Sequence, residues 1–135
     1  MNILVTGGSG FLGSHLADQL SEAGHKVTVY DKEKSRWLRS DQKMIIGDLL
    51  DVVSLEKAIS EADVVYHLAA LANIDEAFKK PIQTIEVNIF GTALALEISR
   101  KYNIKRFIHA SSIYVNSQDG GFYRCSKKAA EDYVE

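Results

Sequence analysis

A serine pair, a tyrosine and a lysine near the end of the chain have the spacing needed for proton transfer at a hydroxyl group. Tyr123 and Lys127 are four residues apart, so a helix would place both on one face. A tyrosine with its ordinary pKa of about 10 is a poor base at neutral pH, but a nearby ammonium group favours the phenolate. Ser111 or Ser112, at the end of a predicted strand, could donate a hydrogen bond to a substrate oxygen. The serine, the tyrosine and the lysine together suit hydride transfer to or from a nicotinamide. The alternative is that Tyr123 and Lys127 are a pair of exposed residues on the surface of a helix.

A glycine-rich segment near the start of the chain predicts dinucleotide binding. Gly7, Gly10 and Gly13 recur at every third residue, between a predicted strand and a predicted helix. The first glycine permits a tight turn, the second a close approach to a pyrophosphate, and the third close packing of helix on strand. The helix that follows would present free N–H groups and partial positive charge to the phosphates. A flexible turn is the alternative, which the surrounding strand and helix disfavour.

An aspartate follows the second predicted strand, about 20 residues after the glycine segment, where a ribose-binding acid is expected. The carboxylate of Asp31 would bind the ribose hydroxyls and repel a 2′-phosphate, which favours NAD over NADP. The alternative is an aspartate that merely ends a strand. Lys32, Lys34 and Arg36 could each reach a 2′-phosphate, which weakens the preference for NAD over NADP. Asp48 is a further candidate for the adenine edge, with a helix cap or turn residue as the alternative.

Strands and helices must alternate to position these residues. Short apolar runs rich in β-branched residues are typical of parallel strands covered on both faces, and they lie at 3–6, 26–30, 44–46, 62–67 and 106–109. Apolar residues at helical spacing predict helices over 12–20, 55–62 and 81–102, and Asp51 is predicted to cap the start of the second. The alternation predicts an α/β fold, a doubly wound parallel sheet (Rossmann) of about five strands. The charged segment 31–41 is predicted as a surface loop, with a lid over a nucleotide as the alternative.

The composition is that of one ordinary globular domain. The chain has 135 residues, 46% hydrophobic and 25% charged, with a net charge of −2, which argues against a disordered chain. We expect no membrane span, no signal peptide and no nucleic-acid partner, because long apolar runs and a basic stripe are missing. A single cysteine, Cys125, fits a reducing compartment, so we expect a cytoplasmic protein. No metal site is expected from the spacing of the four histidines, His15, His25, His67 and His109.

Taken together, the motifs resemble the extended short-chain dehydrogenase/reductases, and among them the NAD-dependent epimerase/dehydratase family. The segments that carry the resemblance run through nearly the whole chain in the expected order: 6–13, Asp31, 47–49, 67–70, 87–92, 111–112 and 123–127. The resemblance implies NAD as cofactor, NADP being less expected, and a nucleotide-sugar substrate. It implies that a sugar hydroxyl is oxidised by hydride transfer and that the keto intermediate is then reduced. It also implies a homodimer formed through the helices 81–102 and 123–135.

The resemblance further implies which residues hold the cofactor. The pyrophosphate would lie on the glycine loop, the adenosine ribose on the acid after the second strand, the adenine beside Asp48 and Leu49, and the remaining cofactor along Leu68 to Ala70. The implied cofactor-binding residues are Gly7, Gly10, Phe11, Leu12, Gly13, Asp31, Asp48, Leu49, Leu68, Ala69, Ala70 and Lys127.

The resemblance implies four catalytic residues. Tyr123 would be the acid and base, and Lys127 would assist it electrostatically and bind the nicotinamide ribose. Ser112, preferred to Ser111, would donate the hydrogen bond to the substrate oxygen. Asn88 would support the catalytic group from a helix, with an exposed polar residue as the alternative.

The end of the chain and one loop depart from the family's usual pattern. Residues 127–135 have helical character and lack a residue that would end a helix. The interval from Ser112 to Tyr123 is roughly half of that usual in extended members of the family. The loop expected to contact the sugar is therefore short. We therefore expect an NAD(P)-binding Rossmann domain over 1–135, incomplete at the C-terminus and truncated before a substrate domain, with little or no turnover. A dinucleotide-binding or redox-sensing module without catalysis is the alternative.

Overall fold

Five strands form one parallel sheet. A computed structural model describes all 135 residues of the chain. The strands are β1 (Asn2–Thr6), β2 (Lys26–Asp31), β3 (Lys43–Ile46), β4 (Val64–His67) and β5 (Arg106–His109), in the spatial order β3-β2-β1-β4-β5. Every neighbouring pair is parallel, which confirms the predicted Rossmann sheet. The strand order reverses direction between β1 and β4, and ligands of such sheets bind at this switch point, beyond the carboxyl ends of the strands.

Six α-helices connect and follow the strands: α1 (Phe11–Glu22), α2 (Val52–Ser60), α3 (Ile74–Lys79), α4 (Pro81–Thr84), α5 (Gly91–Lys101) and α6 (Gly121–Val134). The helix predicted over 81–102 is continuous, but its middle, Ile85–Phe90, is π-helical. The segment 32–42 contains neither helix nor strand, as predicted for a surface loop. None of the helices has the combination of length and apolar character that spanning a bilayer requires.

Side chains from β1 are buried on both faces of the sheet, because successive residues of a strand point to opposite sides. Leu4 belongs to the cluster that includes Leu55 and Ile59 of α2. Ile3 and Val5 belong to a second cluster, which includes Ala17 of α1. Each such side chain contributes roughly 1.5–3 kcal/mol when fully buried. The two cores explain why the strand is a continuous apolar run, and they hold the end of β1 rigidly where the glycine segment begins.

Two helix starts illustrate which local signals the sequence carries. Asp51 precedes α2, and its side chain accepts hydrogen bonds from the N–H groups of Val53 and Ser54, which confirms the predicted cap. Asn73 caps α3 in the same way through the N–H of Glu76. The helix α3 was not predicted, because six residues are too few to establish a helical periodicity.

Candidate cofactor-binding and active site

A cavity of about 560 Å³ lies at the carboxyl ends of the strands, bounded by the glycine loop, the ends of β2 and β4, and α6. It brings together nearly all of the predicted site residues. Those that line it are Gly7, Gly10, Phe11, Leu12, Gly13, Asp31, Asp48, Leu49, Leu68, Ala69, Ala70, Tyr123 and Lys127. Asn88 and Ser112 do not line it, whereas Ser111 does.

The glycine loop has no room for side chains at two positions. Gly7 has a φ of +71°, and a Cβ there would lie 2.7 Å from the backbone nitrogen of Ala69. A Cβ on Gly13 would lie 2.3 Å from the carbonyl oxygen of Gly7. Both distances are far below van der Waals contact, so the loop can close against β4 and α1 only with glycine at these positions. The floor of the cavity here is therefore bare backbone, which suits a pyrophosphate.

The first turn of α1 supplies hydrogen-bond donors to the same floor. Gly10 is the N-cap of α1, and its carbonyl oxygen accepts the N–H of Ser14 at 2.9 Å. The N–H groups that precede Ser14 in the first turn have no partner within the helix. Phe11 and Leu12 line the cavity at this turn. A helix N-terminus with free donors stabilises phosphate charge, so the loop fits the phosphates of a dinucleotide.

Asp31 lies at the cavity and also organises the glycine loop. One carboxylate oxygen accepts the N–H of Ser9 at 3.0 Å and the other accepts the N–H of Glu33 at 3.1 Å. Lys32 lines the cavity, but Lys34 and Arg36 do not. The carboxylate is thus fixed where β2 ends, and two of the three nearby cations stand apart from the cavity.

Asp48 lies at the cavity and also acts as a turn residue. It lines the cavity, and its side chain also accepts the N–H of Leu50 at 2.8 Å, as a turn residue does. The hydroxyl of Tyr30 donates to the Asp48 carbonyl oxygen at 2.7 Å. This contact ties the turn after β3 to the end of β2.

Tyr123 and Lys127 both line the cavity from one face of α6. The ring of Tyr123 meets that of Tyr114 edge to face, with ring centroids 6.3 Å apart. The Lys127 side chain is buried, and its Nζ donates to the carbonyl oxygen of Ala110 and lies 3.2 Å from Nε2 of His109. Burial lowers the pKa of Lys127 from 10.5 to about 8, and the carboxylate of Glu131 opposes this shift. The lysine therefore remains mostly charged at neutral pH, beside the tyrosine.

The structure places the two predicted serines differently. Ser111 lines the cavity, and its hydroxyl donates to the carboxylate of Glu131. The hydroxyl of Ser112 instead accepts the N–H of Tyr114 at 3.3 Å and caps a 3₁₀ turn, Ile113–Asn116. Neighbouring residues of an extended segment point in opposite directions, so only one of the two can face the cavity. Of the two, Ser111 lines this cavity, whereas Ser112 was the predicted donor.

Asn88 is buried, which excludes the alternative of an exposed polar residue. Its Oδ1 accepts the N–H of Leu71 at 2.7 Å, and its Nδ2 donates to the Leu71 carbonyl oxygen at 3.1 Å and to the hydroxyl of Ser126 at 2.9 Å. Ser126 lies between Tyr123 and Lys127 in sequence, and its hydroxyl donates to the Tyr123 carbonyl oxygen at 2.8 Å. Asn88 therefore positions α6 from outside the cavity.

His67, at the end of β4, is a buried histidine whose two ring nitrogens are both hydrogen bonded. The hydroxyl of Thr92 donates to the carbonyl oxygen of Asn88 at 2.7 Å, so it accepts from His67 Nε2 at 3.0 Å. The other nitrogen, Nδ1, then accepts from the hydroxyl of Thr6 at 2.9 Å. Burial lowers the pKa of His67 from 6.5 to about 3, so the ring is neutral at neutral pH.

Several cavity residues were not predicted as site residues. Leu71 and Ala72 follow β4, Glu76 lies on α3, Gln83 lies on α4 and Val87 lies on the π-helical segment. They form the wall built by the chain after β4, which includes the unpredicted helix α3, and of these residues only Val87 lies in a segment that carries the family resemblance, 87–92. No group of three or more His, Cys, Asp or Glu side chains is arranged to hold a metal ion.

Parallel sheets with this strand order, a glycine turn after the first strand and a cavity at the switch point bind dinucleotides, and the chain is a Rossmann domain of this class. A sequence model of the NAD dependent epimerase/dehydratase family matches residues 3–134. The chain belongs to this family, whose cofactor is NAD.

Two curated relatives illustrate the range of the family. A UDP-N-acetyl-alpha-D-glucosaminuronate decarboxylase of Bacillus cytotoxicus is 39% identical over 115 residues, which cover 81% of this chain and 36% of the relative. UDP-glucose 4-epimerase 2 of Arabidopsis thaliana is 36% identical over 129 residues, which cover 84% of this chain and 37% of the relative. The chain thus spans little more than a third of the length of these relatives.

Solved structures with the same fold include two epimerases. The UDP-glucose 4-epimerase of Thermotoga maritima, determined with UDP-glucose, is 32% identical with a TM-score of 0.90, and the match covers 99% of this chain and 50% of that one. The UDP-glucose 4-epimerase of Thermus thermophilus, determined with NAD, is 30% identical with a TM-score of 0.89, and the match again covers 99% and 50%. The chain corresponds to about half of each.

The neutral His67 ring makes stability depend on pH. The unfolded chain takes up a proton on this histidine near the ordinary pKa of about 6.5, whereas the folded chain does so only near a pKa of about 3. The full contribution is therefore present above pH 6.5 and is lost as the pH falls toward 3, by about 1.4 kcal/mol per pH unit. We expect urea unfolding at about pH 7.5 and about pH 5.5 to show this loss, and His67→Gln to reduce it.

His15 is exposed and serves as the control. The variant His15→Gln should keep the same pH dependence as the unmodified chain. An equally steep loss of stability in His67→Gln would show that the dependence originates elsewhere.

Proposed function

We propose that this chain supplies the NAD site and the catalytic tyrosine–lysine pair of a nucleotide-sugar epimerase or dehydratase. The observation that carries the proposal is that Tyr123 and Lys127 line the same cavity as the glycine loop and Asp31. The named relatives and neighbours support the substrate class, since the Thermotoga enzyme was determined with UDP-glucose. A cofactor site and a proton-transferring pair in one cavity are what an oxidation at a sugar hydroxyl requires.

The cofactor would extend along the cavity from β2 to α6. Its pyrophosphate would lie on the backbone of Gly7 and Gly10 and the first turn of α1, where free N–H groups and the helix dipole stabilise charge. Asp31 would accept hydrogen bonds from the adenosine ribose, and Asp48 with Leu49 would contact the adenine. The cofactor would then pass along Leu68, Ala69 and Ala70 to Lys127, which would donate to the nicotinamide ribose.

NAD supplies the hydride acceptor when it is bound. The phenolate oxygen of Tyr123 would receive the proton of the sugar hydroxyl, and the Lys127 ammonium would stabilise the negative charge of that oxygen. Ser111 orients the reacting oxygen by rotating its hydroxyl from Glu131 toward the substrate. Return of the proton from Tyr123 completes the reduction of the keto sugar, so a single residue acts as base and then as acid.

The 135 residues alone are expected to turn over little or no nucleotide sugar. The match covers only 50% of each of the two epimerase structures, and the interval between Ser111 and Tyr123 is short. We infer that the sugar is held mainly by parts of the fold beyond those described here, so that binding energy for orientation is missing. The alternative function is a dinucleotide-binding or redox-sensing module that does not use Tyr123.

The cofactor proposal predicts tighter binding of NAD than of NADP in calorimetric titrations of the full chain. The Asp31→Asn variant should bind NAD about tenfold more weakly, because a charge-assisted hydrogen bond is lost. The ratio of its affinity for NAD to its affinity for NADP should therefore decrease. Asp41→Asn is the matched control, since Asp41 lies in the following loop but does not line the cavity. Equal affinities for both dinucleotides, or no binding of NAD, would contradict the proposal.

A second prediction separates an enzyme from a sensor. Tyr123→Phe removes only the hydroxyl, so NAD affinity should change less than about twofold while any NADH formed on addition of UDP-glucose should disappear. The measurements are calorimetry and NADH absorbance. If the unmodified chain epimerised UDP-glucose at about 1 s⁻¹ or faster, a rate typical of enzymes, the proposal that more of the fold is needed would be wrong. If residual NADH formation persisted in Tyr123→Phe, the tyrosine would not be the base.

We also propose that the chain dimerises through the helices 81–102 and 123–135. Phe78 and Phe122 are exposed to 70% and 46% and stack with ring centroids 5.9 Å apart. Ile82 and Ile85 on the adjoining helix are exposed to 67% and 50%. Contiguous apolar surface of this kind is typical of protein–protein contacts.

Sedimentation velocity at low micromolar concentration should show a dimer that Ile82→Glu dissociates, because Ile82 is exposed on the helix 81–102 and the substitution introduces a charge into the apolar contact. Val53→Glu on α2 is the control, since Val53 is equally apolar and exposed but lies on another helix. A monomer in the unmodified chain would rule the dimer out.

A further inference from the structure

His109, the last residue of β5, lies directly behind the Lys127 ammonium group. Its Nε2 is 3.2 Å from Lys127 Nζ, and the carbonyl oxygen of the next residue, Ala110, accepts from the same Nζ. The two contacts come from consecutive residues of one strand end, whereas Lys127 belongs to α6. The lysine is therefore held against β5 by two acceptors at once.

The direction of the first contact follows from the chemistry of the two groups. A lysine ammonium has three N–H donors and no acceptor, so Nε2 of His109 must accept and the ring must be neutral. Its proton is then on Nδ1, which is buried and has no hydrogen-bond partner. Burial, followed by the charge of Lys127, lowers the pKa of His109 to about 4, and Glu131 opposes the shift. The ring thus stays neutral over the physiological range.

The ring of His109 is also fixed by packing. It stacks on the ring of His67, with centroids 5.6 Å apart and planes inclined by 25°, and His67 in turn lies against Phe107. An unpaired buried N–H is unfavourable, and a phenyl ring would fill this stack without one. The histidine differs from such a ring mainly by the acceptor that it offers to Lys127.

We propose that His109 is a positioning residue for Lys127: together with the Ala110 carbonyl it binds two of the three ammonium N–H donors and leaves the third for the cavity. The inference deepens the proposed function, because Lys127 is the residue assigned there to Tyr123 and the nicotinamide ribose. The imidazole stabilises the charged lysine as an acceptor while adding no charge of its own.

The other charged and titratable groups around Lys127 have different roles. Glu131, one turn further along α6, is engaged by the hydroxyl of Ser111 and by the ammonium of Lys128. His67 on β4 is neutral, with both ring nitrogens bound to threonines. Tyr123 shares the cavity with Lys127. Among the titratable side chains around Lys127, only that of His109 makes a hydrogen bond to the ammonium.

The test is an NMR titration of the Lys127 ammonium in the full chain labelled with ¹³C-lysine, with the signal assigned by its loss in Lys127→Met. His109→Phe keeps an aromatic ring but removes the acceptor, so the Lys127 pKa should fall by about one unit. His109→Gln restores an acceptor and should recover most of the shift. His25→Phe, a histidine substitution remote from the cavity, should leave the value unchanged.

A second measurement needs no variant. Nitrogen chemical shifts of His109 at neutral pH should show the neutral tautomer protonated at Nδ1, with Nε2 as the acceptor. The proposal is overturned by the Nε2-protonated tautomer, or by a folded His109→Phe protein in which the Lys127 pKa is unchanged. Neither measurement involves NAD or turnover, so a chain that failed to bind NAD would refute the proposed function and leave this inference standing.

Discussion

The neutral ring of His67 joins three elements, β4, β1 and α5. It receives a hydrogen bond from Thr6 at the end of β1 and donates one to Thr92 on α5, whose hydroxyl continues to the carbonyl of Asn88. Thr6 also accepts the N–H of Ala69, at 3.3 Å, beside the glycine loop. Every member of this buried network depends on the next for its partner, and an unpaired member would be strongly unfavourable. The glycine loop, the wall after β4 and the π-helical segment therefore keep fixed relative positions.

The same network extends to α6 through hydrogen bonds of amide and hydroxyl groups rather than through ion pairs. Asn88 binds both backbone groups of Leu71 and the hydroxyl of Ser126, so one side chain connects the cavity wall to α6. Neutral partners suit this position, since an unpaired buried ion would be unfavourable. Lys127 is the one charged side chain that is buried, and burial lowers its pKa to about 8. The buried charge of the fold is thus concentrated at one residue.

The fold could be predicted from the sequence because its signals are local. Apolar runs marked the five strands, Asp51 marked the start of α2, and the glycines with Asp31 marked the cavity at the carboxyl ends of the strands. Features set by contacts between distant segments were not predictable. Which of the two serines lines the cavity depends on the direction of one side chain after β5, and the burial of Asn88 depends on Leu71 and Ser126. Likewise, the spacing of His67 and His109 in sequence gives no sign that their rings stack.

The π-helical segment between α4 and α5 has a geometric consequence for the buried seam of this long helix. Four residues of α-helix overshoot one full turn by about 40°, so side chains repeated every fourth residue drift around the axis. Thr84, Asn88 and Thr92 follow this repeat, and all three are buried. Turns closed by i→i+5 hydrogen bonds contain more residues, which cancels much of the drift. The wider turns therefore keep the three polar side chains aligned along one side of the helix. There they form hydrogen bonds with α3, Leu71 and His67.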